Sequence, residues 1–362
     1  MTDKLKEARE IINGVDKEMA ELFEKRMRAA EMVAEYKRER GLEIYDPKRE
    51  SELIAKNSQY VSDGVLREYY VNFLEKTMEI SRSYQSRLME GMRVAFSGTE
   101  GAFAHIATCK LFPTAKKIGY GNFESAYNAV VTGECDAAVL PIENSYNGEV
   151  GQVTDLIFSG TLYVNGMTEL AVTQDLLAVP GATLADIKEV VSHPQALGQC
   201  HEYITQHGFA EKEYGNTALA AEYVAKKGDK SLAAIASEAA AEIFGLTVLE
   251  KNINASANNT TRFVILSRSQ NKNIHKSAKT TTLLLFTVRN EAGSLAKAID
   301  IIGKHGFNMR SLRSRPMKDL LWQYYFYVEA EGDLNTEEGQ NMLKELKVYC
   351  DRLRAVGTFN KN

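Results

Sequence analysis

The sequence predicts a multidomain chain: an all-α N-terminal segment, an α/β centre, and a C-terminal α+β segment of ferredoxin-like layout. Three observations carry this. From Leu5 to about Arg40 there is no proline, and apolar residues recur at helical spacing. From about Met92 to Arg268 short apolar runs alternate with helical stretches. Beyond about Thr280 the order strand, helix, strand, strand, helix, strand is legible. At 362 residues the chain exceeds one ordinary core, in keeping with several domains. The expected divisions are 1–91, 92–268, a polar linker at 269–279, and 280–362.

Composition narrows the functional classes. A chain that is 44% hydrophobic and 25% charged is globular in type. Its net charge of -4 gives no global attraction for nucleic acid or anionic membrane, so any anion must be held by local clusters. Cys109, Cys135, Cys200 and Cys350 lie far apart, which suits neither a zinc site nor a disulfide scaffold and fits reduced cytoplasmic thiols. The N-terminus runs straight into a charged helix with no apolar signal core, and no stretch reaches the length of a membrane span.

In the first segment Ile12, Val15, Met19, Leu22, Phe23, Ala30, Val33 and Ala34 form the apolar stripe of a helix roughly 50 Å long. Such a helix needs a partner to cover it. Arg26 and Lys37 fall in the middle of the stripe and Arg9 at its edge. Inward cations without an anion are costly, so they call for a carboxylate side chain or an anionic ligand. Asp46 caps a second helix with Pro47 in its first turn. A third, from about Asp63 to Glu90, carries Ser81 and Gln85 on one face, where polar groups can meet the cations.

The set Arg9, Arg26, Lys37, Asp46, Arg49, Glu50, Ser81 and Gln85 resembles the active-site pattern of the all-helical chorismate mutases, over the whole segment. The resemblance implies three helices in an intertwined dimer, with Arg9 reaching in from the partner. It also implies a pericyclic rearrangement of chorismate to prephenate, which needs neither nucleophile nor metal. Holding the compact conformer and stabilising charge on the ether oxygen suffice. Arg9, Arg26 and Arg49 suit the carboxylates, Lys37 and Gln85 the ether oxygen, and Glu50 the ring hydroxyl; Asp46 and Ser81 complete the substrate site.

In the centre, the runs Val94–Phe96, Ala137–Leu140, Val190–Val191, Ala233–Ile235 and Phe263–Leu266 read as buried strands. Four of them lead into small or polar clusters, expected at strand-to-helix junctions where anionic ligands bind in open α/β sheets. Asn216-Thr217 opens a further helix in the same way. The stretch Asn258-Asn259-Thr260-Thr261-Arg262-Phe263 puts amides, hydroxyls and a guanidinium at the mouth of a strand, and reads as the lip of an active site. A plain helix cap or turn is the competing reading at each place.

The strings Leu140-Pro141-Ile142-Glu143-Asn144-Ser145, Ser192-His193-Pro194-Gln195-Ala196-Leu197-Gly198-Gln199-Cys200 and Asn259-Thr260-Thr261-Arg262-Phe263 resemble the signature blocks of prephenate dehydratases. That resemblance implies two α/β lobes like those of periplasmic binding proteins, with the active site in the cleft between them. It implies that prephenate loses its ring carboxylate and C4 hydroxyl to give phenylpyruvate. Thr261 is then the donor or orienter at the departing hydroxyl, and Arg262 and helix N-termini bind carboxylates. Glu143, Asn144, Ser145, Ser192, His193, Gln195, Asn216, Thr217 and Phe263 complete the substrate contacts. His193, ahead of a proline, is equally a capping residue, and His105, His201 and His207 read as structural. Two departures stand out: Gly101-Ala102-Phe103-Ala104 replaces the family's usual Gly-Thr-Phe-Ser, and Asn252-Ile253-Asn254 has asparagine where an aspartate commonly follows the isoleucine.

At the C-terminus, Gly293-Ser294-Leu295 and Ser314-Arg315-Pro316 resemble the two phenylalanine-binding motifs of ACT regulatory domains, with Arg313 in a position usually held by glutamate. The resemblance implies phenylalanine as an inhibitory effector bound at these residues, and pairing of such domains in a homodimer or higher homo-oligomer. The combined expectation is a bifunctional chorismate mutase and prephenate dehydratase on the route to phenylalanine. No cofactor and no metal are expected, and no Gly-x-Gly-x-x-Gly follows a strand. The residues leave open arogenate as the dehydratase substrate, or a sensor that binds amino acids without turnover.

Overall fold

The computed structural model describes residues 2–255, 258–271, 280–317 and 323–360. The chain forms two compact units, Met1–Arg93 and Val94–Asn362. The expected linker lies mostly outside the described residues, as does Trp322 at the expected start of a C-terminal strand.

The first unit is helical: α1 (Thr2–Arg40), α2 (Pro47–Asn57) and α3 (Gly64–Glu90). The caps follow from the sequence. Asp46 accepts the Arg49 N–H at 3.0 Å, and Asp63 accepts those of Val65 and Leu66 at 2.8 and 3.0 Å. Only the C-terminal half of α1 has a described partner for its apolar face: Met27, Ala30 and Ala34 are buried, as are Leu74 and Met78 of α3. From Lys4 to Lys25 every residue is exposed, including Ile12, Val15, Met19 and Phe23.

The second unit opens with β1 (Arg93–Ser97), α4 (Phe103–Leu111), β2 (Lys116–Tyr120), α5 (Phe123–Val131), β3 (Ala137–Asn144), β4 (Gly148–Glu149), α6 (Gly151–Ser159) and β5 (Tyr163–Ala171). The chain then crosses into a second lobe. There it forms β6 (Asp175–Ala178), β7 (Glu189–Ser192), α7 (Pro194–Gln199), α8 (His201–His207), β8 (Ala210–Glu213), α9 (Thr217–Lys227), β9 (Leu232–Ala236), α10 (Glu238–Phe244) and β10 (Thr247–Glu250). It returns to the first lobe as β11 (Thr260–Ser267). Among the described residues the first sheet runs β2-β1-β3-β11-β5 with β4 on β3, and the second runs β10-β6-β9-β7-β8. Alanines at 218, 220, 221, 233, 234, 236, 240 and 241 are buried, so helices lie close on the second sheet.

The expected strands at 94–96, 137–140, 190–191, 233–235 and 263–266 all form. One junction differs from expectation. Pro141 to Asn144 continue β3 and lead into the β4 hairpin, not into a helix, because Glu143 and Asn144 pair with Glu149 and Gly148. Strands β2, β8 and β10 are short, polar and largely exposed, so no apolar run marks them in the sequence.

The C-terminal part of this unit comprises β12 (Thr280–Val288), α11 (Ser294–Lys304), β13 (Asn308–Pro316), β14 (Tyr324–Glu331), α12 (Glu337–Tyr349) and β15 (Cys350–Asn360). Its sheet order, β13-β14-β12-β15, is the antiparallel βαββαβ arrangement the sequence predicts. One face packs on α11 and α12. The other, with Leu283, Leu285, Tyr325, Tyr327, Val356 and Phe359, shares a core with the first lobe.

Candidate functional sites

Between the two α/β lobes lies a cavity of about 590 Å3. Its walls are the α4 N-terminus (Ala102, Phe103, Ala104), the ends of β3, β4 and β11, the crossover at Val172 and Gln174, and the α7 and α9 N-termini. The lobes meet directly where the Ser237 hydroxyl donates to the Gly101 carbonyl at 3.2 Å. Gly101 has φ +83, and a Cβ there would press on Ala240, so glycine is required on both counts.

At the cavity wall Asn144 Nδ2 donates to Thr261 Oγ1 at 2.9 Å and to Asn259 Oδ1 at 2.8 Å. Asn259 Nδ2 in turn donates to Gln199 Oε1 at 3.0 Å, tying the returning strand to the second lobe. The Asn144 carbonyl oxygen accepts the backbone N–H groups of Tyr146 (3.0 Å) and Asn147 (2.9 Å), which fixes the amide orientation. Thr261 therefore receives a hydrogen bond on oxygen and keeps its own O–H for another acceptor.

Of the expected dehydratase residues, Asn144, His193, Gln195, Asn216, Thr217, Thr261 and Phe263 line this cavity. Two of them also cap helices: His193 Nδ1 accepts the Gln195 N–H at 3.2 Å, and Asn216 accepts that of Leu219 at 2.7 Å. Four residues are elsewhere, and the expectation for them is corrected. The Ser192 hydroxyl is fully buried and donates to the Ile235 carbonyl at 2.5 Å. Ser145 donates to the Asn258 carbonyl and accepts the Thr260 N–H, closing the loop over β11. Arg262 and Glu143 occupy the reverse side, because strand neighbours alternate: with Thr261 and Asn144 facing the cleft, these two face away.

Arg262 is thus no carboxylate receptor. It pairs with Glu143 at 3.0 Å and, through both terminal nitrogens, with Glu329 at 2.8 and 3.0 Å. Burial alone would lower its pKa, but Glu329 and Glu143 outweigh that and raise it. No lysine or arginine is among the described residues lining the cleft. What it offers a carboxylate is backbone: α4 begins at Ala102 with no side-chain cap, leaving first-turn N–H groups open beside the cavity.

Two cleft residues carried no expected role: Gln174, and Gln199, which lies within one of the signature strings. Gln174 is 3% exposed and its Oε1 is buried without a partner. Its backbone N–H donates at 3.0 Å to the Asn254 side-chain oxygen, a bond that an aspartate at that position would accept equally well. An isolated glutamine in an ordinary strand approach carries no local signal.

In the helical unit Arg26 donates to Ser81 Oγ and to the Thr77 carbonyl. Burial lowers the pKa of its guanidinium. Gln85, one turn beyond Ser81, is buried with Oε1 unpartnered. Arg26 and Ser81 are in direct contact, and Gln85 follows Ser81 by one turn of α3. Lys37 is half-buried and donates to the Ile44 carbonyl at 2.6 Å. Glu50 is bound by Arg82, a residue the sequence reading overlooked, through both carboxylate oxygens. Arg9 and Arg49 are exposed, and Asp46 is occupied as the α2 cap. Within one chain the expected cluster of inward cations is therefore only partly assembled.

The expected effector residues separate as well. Gly293, at φ +84, precedes α11, and Leu295 lines a cavity of about 410 Å3 with Val288, Glu291, Tyr324 and Phe326. Ser314 and Pro316 are exposed on β13. Arg313 and Arg315 point the other way, and their expectation as effector ligands is corrected: Arg313 pairs with Glu143 at 2.5 Å, and Arg315 with Asp155 at 3.0 and 3.2 Å.

A helical unit with a half-buried arginine, a two-lobed unit with an amide- and hydroxyl-lined cleft, and a βαββαβ module make up a multidomain protein with two candidate small-molecule sites. Residues 8–86 match the family Chorismate mutase type II, and residues 94–271 match Prephenate dehydratase. A bifunctional chorismate mutase/prephenate dehydratase of Enterobacter agglomerans is 30% identical over 97% of this chain and 94% of its own. Arogenate dehydratase/prephenate dehydratase 2 of Arabidopsis thaliana is 34% identical over 74% of this chain and 72% of its own. The crystal structure of a prephenate dehydratase from Arthrobacter aurescens in complex with L-Phe is 27% identical, with TM-score 0.69 over 75% of this chain and 90% of that one. The chain belongs to the family of bifunctional chorismate mutase/prephenate dehydratases.

Proposed function

We propose that the chain rearranges chorismate to prephenate in its helical unit and converts prephenate to phenylpyruvate in the cleft between its α/β lobes. The observation that carries the second step is the Asn144–Thr261 hydrogen bond at the cleft wall. As the bond from the ring to its carboxylate breaks, the electron pair enters the ring and the C4 hydroxyl leaves. A donor at that oxygen lowers the barrier. Thr261 supplies it, with its O–H left free by the Asn144 N–H on its oxygen. The substrate carboxylates are received by helix N-termini, principally that of α4.

For the first step, Arg26 is pre-set against Ser81, and the buried free oxygen of Gln85 awaits a donor one turn away. A Gln85 amide rotated about χ3 presents N–H instead, which suits the ether oxygen of chorismate. Arg9 and the exposed face of α1 complete the pocket in a homodimer, since an amphipathic helix bare from Lys4 to Lys25 is covered when two chains interleave. Phenylalanine binds the C-terminal module near Gly293, Ser294 and Leu295, with Ser314 and Pro316 contributed across a pair of modules. Support comes from the L-Phe complex of the similar dehydratase. Supplying purified chain with chorismate tests the whole reading: phenylpyruvate is expected, and accumulation of prephenate alone sinks the cleft assignment.

A further inference from the structure

Strands β3 and β11 present alternate residues to two sides of one sheet. Thr261 pairs in register with Asn144 on the cleft side, and Arg262 pairs with Glu143 behind them. The rear pair is held by the C-terminal sheet. Glu329 of β14 takes Arg262 through two hydrogen bonds, at 2.8 and 3.0 Å, and Arg313 of β13 takes the second oxygen of Glu143 at 2.5 Å. Glu329 is itself fixed by the Tyr327 hydroxyl at 2.6 Å, and its side chain is 6% exposed. Side chains of Arg262, Glu143 and Arg313 are exposed by only 22, 25 and 23%, so solvent does little to screen the lattice.

We propose that Glu329 and Arg313 are positioning residues for the dehydratase reaction, acting through Arg262 and Glu143 to hold Thr261 and Asn144 in place. The inference rests on the dehydratase reading of the cleft. Thr261 shares a peptide unit with Arg262, as Asn144 does with Glu143, so a shift of the rear side chains carries the front hydroxyl and amide with it. A bulge between Arg262 and Phe263 interrupts the pairing of β11 with β3 at this point, while pairing with β5 runs on through both residues. The C-terminal module is thereby part of the catalytic scaffold.

The test uses the full chain, with kcat and KM for prephenate measured well below the thermal transition, where loss of folded protein is negligible. Glu329→Gln and Arg313→Gln are each expected to lower kcat by about tenfold or more, with KM changed by less than about threefold, since misplacing a reacting group costs rate more than binding. Arg313→Lys is expected to recover most of the loss. Unchanged kcat in both glutamine variants overturns the proposal. So does a loss in Arg313→Gln that Arg313→Lys does not relieve. If Glu329→Gln gives no cooperative transition, the Arg313 pair decides alone. Failure of the unsubstituted chain to form phenylpyruvate from prephenate overturns the dehydratase reading instead.

Discussion

Asn144 Nδ2 lies 2.9 Å from Thr261 Oγ1, and the oxygen of the same amide is held by two backbone N–H groups. Turning the amide over would break these bonds and the one to Asn259, so the threonine oxygen meets a donor and its proton points elsewhere. Thr261→Ala is expected to reduce phenylpyruvate formation by about a hundredfold or more, and Thr261→Ser to retain much of it. Asn144→Ala, which frees the hydroxyl to turn, should fall between them. Prephenate production from chorismate stays intact in all three. Equal activity of the alanine and serine variants at position 261 would remove the hydroxyl from the mechanism.

Arg26 gives the reciprocal experiment. Its guanidinium is half-buried in the helical unit and placed by Ser81 and Thr77. Arg26→Ala is expected to lower chorismate turnover by about a hundredfold or more, while prephenate added directly is still converted. Damage to both activities by this one substitution would contradict separate sites.

The bare half of α1 predicts an assembly. Phe23 and Met19 are 44% and 43% exposed on a helix with no buried residue from Lys4 to Lys25. Phe23→Asp is expected to halve the mass seen by light scattering or to make it concentration-dependent, and to lower mutase activity with it. A chain that is monomeric before substitution would refute the interleaved dimer.

Much of this was legible in advance because it is written locally. The cap at Asp46, helical spacing in α1, and the polar string around Thr261 are all features of neighbours in sequence. What escaped notice depends on partners far away. Arg262 reads as a carboxylate receptor until Glu329, 67 residues on, is found holding it. Glu50 and Arg82 are 32 residues apart, and Asn144 and Thr261 are 117. Strand alternation could have put Arg262 and Glu143 behind the cleft, but only once Pro141 to Asn144 are recognised as strand and not as a helix approach.

Gly357 tests how the C-terminal sheet is seated. A Cβ on it would overlap the backbone carbonyl of Val164, so β15 passes β5 at a distance only glycine allows. Gly357→Ala forces one backbone away from the other and is expected to cost about 1–3 kcal/mol, read as a lower melting temperature. Dehydratase kcat should fall with it, because Glu329 and Arg313 belong to the displaced sheet. A variant with unchanged melting behaviour would mean that the two strands separate without cost.

His305, at the end of α11, makes the tie between the two helices of that module depend on pH. Its Nε2 lies 2.9 Å from Glu345 and its Nδ1 2.5 Å from Glu338, both on α12. Glu345 and then Glu338 raise its pKa above the ordinary 6.5 against a small opposing effect of burial. A proton held more tightly in the folded state stabilises that state. The contribution is full below the unfolded value and is lost as pH rises through the folded one. Stability of the module should therefore decline as pH rises above the ordinary imidazole value of 6.5. His305→Gln, which keeps a hydrogen bond and removes the charge, is expected to lower the melting temperature at the acid end and to flatten its dependence on pH. Retention of the full pH dependence in that variant would assign it to another group.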